Sequence, residues 1–151
     1  VMLCAAGDYY GNMVVEKSTT VIARYPDVGV ICGDAVVECF DLAMPFYRKL
    51  PFVPNEFISA ENFKKLAGKN LVGFNGGSIL MNRQAVVAAN CLKAQSHWQG
   101  DWLLYFIIAF RHGVYYVNDV FTHITMRIAS YSECKRDVER QRKMIQANLH
   151  L

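Results

Sequence analysis

Hydrophobic positions fall into two periodicities along the chain, with short apolar runs between breakers. From Tyr9 to Arg24, Met13, Val14, Lys17, Val21 and Ile22 recur at helical spacing, and Pro26 ends the pattern. Val28 to Asp34 is a short apolar run bounded by breakers, which predicts a buried strand that continues as extended chain from Ala35 to Phe40. Residues 41 to 58 carry Pro45, Pro51 and Pro54 among many aromatics, and predict an irregular loop or lid. Ser59-Ala-Glu-Asn62 has the capping serine and early acid of a helix start; that helix runs to Leu66 and stops at Gly68. Asn75-Gly-Gly77 predicts a turn, Ser78 to Met81 a strand and Gln84 to Leu92 a helix. Asp101 to Arg111 predicts a helix apolar on all faces, hence buried, with Gly113 as its cap. Val114 to Val117 and Val120 to Ile128 predict two further strands. Residues 133 to 149 predict an exposed helix, with a thin stripe of Val138, Ile145 and Leu149 and a basic face of Lys135, Arg136, Arg140, Arg142 and Lys143. This alternation predicts an α/β fold with a mixed sheet flanked by helices.

Composition narrows the class. The 151 residues suit one domain, or most of one, and 53% hydrophobic against 19% charged excludes a disordered chain. Trp102 to Phe110 is the longest unbroken apolar run, about half of what a membrane span needs. A net charge of +3 is too mild to imply nucleic acid. The cysteines at 4, 32, 39, 91 and 134 are odd in number and lack any C-x-x-C spacing, which predicts free, mostly buried thiols in a reducing compartment. Histidines 97, 112, 123 and 150 are scattered. The first residue is Val1 and no basic-then-apolar leader follows, so no secretory signal is expected.

Several polar residues sit where chemistry is possible, each with a plainer reading beside it. Asp8 follows the apolar stretch Val1 to Ala6 and a glycine, where a strand would end and a helix begin. It is either a helix N-cap or a carboxylate beyond a strand's carboxyl end that holds a divalent cation. Asp34, after Gly33, either lines the same cleft or serves a turn. Asp101, in Gln99-Gly-Asp-Trp-Leu-Leu, opens an otherwise apolar helix; beside the helix's positive end its ionised form is favoured, and it is either a cap or a general base on a hydroxyl. Asn75-Gly-Gly-Ser puts bare backbone beside a strand, for a turn or for close ligand approach. Arg127 reads as a phosphate contact or a surface ion pair, and His123 on the same strand as structural or as a metal ligand. The basic C-terminal helix offers a solvated face or a contact with anionic lipid.

Taken in order, these segments resemble the second half of a family 2 glycosyltransferase of the glycosyltransferase-A fold. LCAAGDYY is similar to the family's acidic strand-end motif, and VVEKSTTVIARYPDVGVICGDAVV to the helix, turn and strand after it. NGGSILMNRQAV resembles the acceptor-side Gly-Gly segment, QGDWLLYFIIAFRHGVYYVND the helix that carries the catalytic base with the strand behind it, and FTHITMRIASYS the closing segment near the donor phosphates. The resemblance implies residues 1–132 as the acceptor-side part of such a domain, followed by a helix over 133–151. It implies inverting transfer of a sugar from a nucleotide-sugar donor to the hydroxyl of a glycan or lipid-linked acceptor, in surface-glycan or polysaccharide synthesis. Asp101 matches the base, Asp8 the last acid of the metal and diphosphate motif, and Asp8 with His123 a Mn²⁺ or Mg²⁺ site. Arg127 falls among the diphosphate groups; Asn75, Gly76, Gly77, Asp34 and Trp102 lie on the acceptor side. Ala5 and Gly7 stand where the family has its first acids, and Arg127-Ile-Ala129 stands in place of its Arg-x-His. The family's nucleotide-binding half has no counterpart in these residues, so the 151 alone are expected to be inactive and to expose an apolar edge at Val1 to Ala6 that takes up a partner chain or a second copy. A cytoplasmic location is implied, with peripheral contact at the inner membrane face made through the acceptor.

Overall fold

In the computed structural model, residues 1–39, 44–90 and 100–126 are described. Two long strands form the centre of the sheet, β2 (Val30–Cys39) and β6 (Val114–Met126), paired in parallel from Val30↔Val114 to Cys39↔Met126, with register shifts on either side of Asp34. Each central strand is flanked by two short antiparallel ones. Along β2 lie β5 (Ile79–Met81) and β3 (Phe46–Arg48); along β6 lie β4 (Glu56–Ile58) and β1 (Tyr9–Tyr10). The result is a mixed six-stranded sheet in an α/β fold, as the alternation of elements predicts.

Strand alternation divides the core into two. On one face Ile31, Tyr115, Val117 and Phe121 pack against Val14 and Val21 of α1 (Val14–Arg24). On the other face Val30, Cys32, Ile79, Met81, Val114 and Tyr116 meet α2 (Ala60–Ala67), α3 (Arg83–Ala88) and α4 (Gly100–His112). Phe52, Phe63, Phe74, Phe106 and Phe110 interlock in that second core at centroid distances of 5.3–6.2 Å. Ser59 caps α2 by accepting from the Asn62 amide (3.3 Å), and Asn82 caps α3 in the same manner. Gly113, at φ 78°, lets the chain turn from α4 directly into β6.

Long-range pairing overrides the local pattern in several places. Tyr9 and Tyr10 belong to a strand rather than to the first helix, which begins only at Val14; β6 has recruited them. Residues 46–48 and 56–58, expected to be irregular, are edge strands on β2 and β6. Val114 to Met126 is one strand instead of two, because β2 pairs with it on both sides of the register shifts. Val1 to Ala6 is not a strand of the sheet: it holds on through a Met2↔Leu80 bridge and the backbone bonds between Val1 and Met81 (2.7 and 2.8 Å). Helix α4 is not buried all round, since Leu104, Tyr105, Ile108 and Ala109 are buried while Trp102 is 36% exposed. The predicted helix at 133–149, the ends of the helix over 84–92 and of the strand over 120–128, and Arg127 lie outside the described residues. Among the described residues no helix is long and apolar enough to cross a membrane.

Candidate active site

Helix α4 feeds into β6 through the tight turn at Gly113, so it runs back along the sheet antiparallel to that strand. Its thirteen residues climb about 18 Å, which β6 covers in about five or six residues. Asp101, on the first turn of α4, therefore stands about midway along β6, level with residues 119 to 120 and short of the strand's carboxyl end at Met126.

Asp8, just before β1, lies at the carboxyl end of β6. Its Oδ1 accepts from the Thr125 amide (3.0 Å), and the Thr125 hydroxyl donates to the Gly7 carbonyl (2.9 Å). These bonds tie the acidic loop to the end of β6, so Asp8 is not a helix cap; α1 begins at Val14, with Met13 at its N-cap position and no side-chain cap. Asp8 Oδ2 faces Gly77, where a Cβ would lie only 3.7 Å away. Gly77 holds φ +81° and its carbonyl accepts from the Thr122 hydroxyl (2.7 Å), so the glycine turn presses its backbone against β6 beside the carboxylate.

Tyr10 lies near Asp8, and Tyr105 near Asp101 and Tyr10. Tyr10, opposite Thr122 on β1, has its hydroxyl raised to about 12 by burial and by contact with Cys4, with Asp8 adding to the shift. The Tyr105 hydroxyl, one helical turn after Asp101, is raised well above the ordinary tyrosine range by burial, and then by the charges of Asp101 and Tyr10. Asp8, Tyr10, Tyr105 and Asp101 thus influence one another in sequence on the α4 side of the sheet. Burial also raises the Asp101 carboxyl above its usual range, although its Oδ1 accepts from the Trp102 amide (2.8 Å). The helix terminus was expected to favour the ionised form; desolvation outweighs it here. A desolvated carboxylate held above its usual range is suited to take a proton.

The other candidates are distributed differently. Asp34 is 0% exposed, and its carboxylate accepts from the Tyr116 hydroxyl (2.8 and 3.0 Å), the Tyr47 hydroxyl (2.9 Å) and the Leu50 amide (2.9 Å). Asn75 is buried too, donating to the Arg48 carbonyl (3.0 Å). Both side chains are committed to anchoring the 47–50 segment, which corrects their placement among the acceptor contacts; of that group Gly76 and Trp102 are at least partly exposed, while Gly77 is buried against Thr122 and Asp8. His123 does not join Asp8. Alternation along β1 and β6 puts Tyr9 and His123 on one face and Tyr10 and Thr122 on the other, and Gly77 and Asp8 Oδ2 are on Thr122's side. The His123 ring stacks on Tyr9 (4.5 Å, 7°), with Nδ1 buried 3.8 Å from Glu38 Oε1. The proposed pairing of Asp8 with His123 on one cation is corrected accordingly. Among the described residues no three metal-ligating side chains gather.

Cavities of about 260, 300 and 240 Å³ lie by Val1 and Leu80, by Phe52 and α2, and by Lys17 and Asn118; neither Asp8 nor Asp101 lines any of them. Cys32 is a buried free thiol, as expected, whereas Cys4 is free but exposed, beside Asp8. Tyr105 was legible in the sequence as the fourth residue after Asp101, and Tyr10 as the second after Asp8. The Thr125 amide carries no local signal. Comparison with protein-family models and with curated proteins gives no match.

Proposed function

We propose that this chain is the acceptor-side part of an inverting glycosyltransferase of the glycosyltransferase-A fold. A single observation supports the reading: Asp8, Tyr10, Tyr105 and Asp101 influence one another in sequence on the α4 side of the sheet. In this reaction the acceptor hydroxyl gives its proton to Asp101, its oxygen bonds to the anomeric carbon from the face opposite the diphosphate, and the anomeric C–O bond breaks with its electron pair leaving on the diphosphate. Burial makes Asp101 a stronger base than an exposed carboxylate. Gly76, with nothing within 4 Å of where a Cβ would stand, would let a substrate come close to the backbone. Asp8 Oδ2 is the oxygen that would hold a Mn²⁺ or Mg²⁺; one carboxylate suffices for a cation that draws its other ligands from phosphates and water. When bound, such a cation would offset the negative charge of the leaving diphosphate.

The test uses the native protein with a panel of nucleotide-sugars and saccharide acceptors. Asp101→Asn is expected to lower transfer by about 100-fold or more, while the thermal shift given by donor with Mn²⁺ or Mg²⁺ persists. Unchanged transfer in that variant rejects Asp101 as the base. A second reading, a non-catalytic binding module of the same fold, is favoured by Ala5 and Gly7 at the places of the family's first acids. It requires ligand binding with no transfer in the unaltered protein.

A further inference from the structure

The cavity by Phe52 and α2 is the largest of the three described above, at about 300 Å³. That volume is at the lower end of small-molecule sites, about 300–1,000 Å³. It opens between β4 and α2, on either side of the Ser59 cap. β4 pairs with the first residues of β6, Val114 to Tyr116, whereas Asp8 is bonded to Thr125 near that strand's other end. The cavity is therefore separate from the candidate active site.

Its floor is apolar and fixed from below. Phe52 is 5% exposed and is held by Phe63, Phe74 and Tyr116 at centroid distances of 6.1–6.2 Å. Ile58 is buried beside it, and Leu66 of α2 closes the far wall.

The rim carries the charge. Lys65 lines it from the same face of α2 as Asn62 and Leu66, and Lys69 lines it from the turn that ends the helix. Glu56 is the one acid among the lining residues, so the rim holds an excess of one positive charge. Lys65 is shared with Glu61 (2.8 Å) in an exposed pair, while Lys69 makes no ion pair among the described residues. The carbonyls at that helix end do not draw on Lys69, because the Gly68, Lys69 and Leu71 amides already donate to Lys64 and Leu66. In the cavity by Lys17 and Asn118, by contrast, the lysine is bound to Asp119. An apolar floor beneath an uncommitted ammonium matches a ligand with a hydrocarbon body and one negative end. We infer that this cavity binds a small apolar carboxylic acid, its body on Phe52, Ile58 and Leu66 and its carboxylate at Lys69. The inference is independent of the transferase reading.

The test titrates 1-naphthylacetate into the native protein, read by protein NMR and by thermal shift. It is expected to bind with a Kd of about 1 mM or below and to raise Tm. Its neutral counterpart, 1-naphthylacetamide, is expected to bind about three- to tenfold more weakly. Acetate, which lacks the body, is expected to show a Kd above about 10 mM. Lys69→Gln brings the acid to the level of the amide and leaves the amide unchanged. Lys64→Gln, on the same helix but outside the cavity lining, changes neither. Asn62→Trp, which puts an indole into the cavity mouth from an exposed position, removes both. Circular dichroism on each variant separates lost binding from lost fold. A Kd above about 10 mM for 1-naphthylacetate, or equal affinity for acid and amide, overturns the assignment. So does undiminished binding of the acid in a folded Lys69→Gln, or tighter binding of 1-naphthylmethylamine than of the acid, which would make Glu56 the group that selects the ligand.

Discussion

Asp34 gives the sharpest test of how a carboxylate is used in this molecule. It ends an apolar run after a glycine, as a ligand-binding acid would, yet it is 0% exposed and answers three donors: the Tyr116 and Tyr47 hydroxyls and the Leu50 amide. Burial and the Asp34 charge push the Tyr47 hydroxyl up to about 12, and they push Tyr116 further in the same direction. Asp34→Ala would strand Tyr116 (0% exposed) and the Leu50 amide (5%) inside the core, whereas Tyr47, 54% exposed, can turn to water. Two orphaned buried donors cost about 1–3 kcal/mol each, partly offset because the carboxylate's own desolvation is also relieved. The expected loss is about 3–4 kcal/mol, or about 8–12 °C in Tm for a chain of this length.

Asp34→Asn should behave differently. The amide oxygen keeps the Leu50 and Tyr116 bonds made to Oδ1, and the amide nitrogen donates to Tyr47 once that hydroxyl rotates to accept. Its cost is expected near 1 kcal/mol, the scale of one weakened bond. Urea unfolding of both variants, with the slope m unchanged, reads the difference. In a double-mutant cycle, Tyr116→Phe should cost about 1–2 kcal/mol less on the Asp34→Ala background than on the parent. A loss below about 1 kcal/mol for Asp34→Ala, or equal losses for Ala and Asn, refutes the assignment of Asp34 to an internal network.

Two further outcomes follow from burial and backbone geometry. Asp101 is raised by burial, so its contribution to stability is complete below the unfolded-state carboxylate range and is lost as pH rises through the raised value. Asp101→Asn should therefore match or exceed the parent's Tm at pH 7 and lose that advantage near pH 4; a drop of several degrees at pH 7 would instead mark Asp101 as a structural cap. Gly113→Ala places a Cβ at φ +78° and 2.5 Å from the Ile58 carbonyl, so it should destabilise by about 2–4 kcal/mol in urea unfolding, and a loss within about 0.5 kcal/mol would contradict the turn geometry.

The sequence was most informative where local forces decide. Ser59 caps α2 because its hydroxyl needs only an amide three residues on, and Gly113 turns the chain because only glycine accepts its φ without strain. It was least informative where a partner far along the chain decides. β1, β3 and β4 are two- or three-residue pieces with no periodicity of their own; they are strands because β2 and β6 expose unpaired edges beside them. The same distinction separates the acids. Asp34 and Asp101 carry one local signature, an aspartate after a glycine at the border of an apolar segment. Asp34 is consumed by Tyr116, a residue on β6, while among the described residues Asp101 accepts from the Trp102 amide of its own helix and is partly desolvated. A carboxylate's availability is thus fixed by which hydroxyl the sheet register delivers to it. The Tyr116 hydroxyl reaches Asp34 across the parallel β2–β6 pair, which shifts register on either side of that acid.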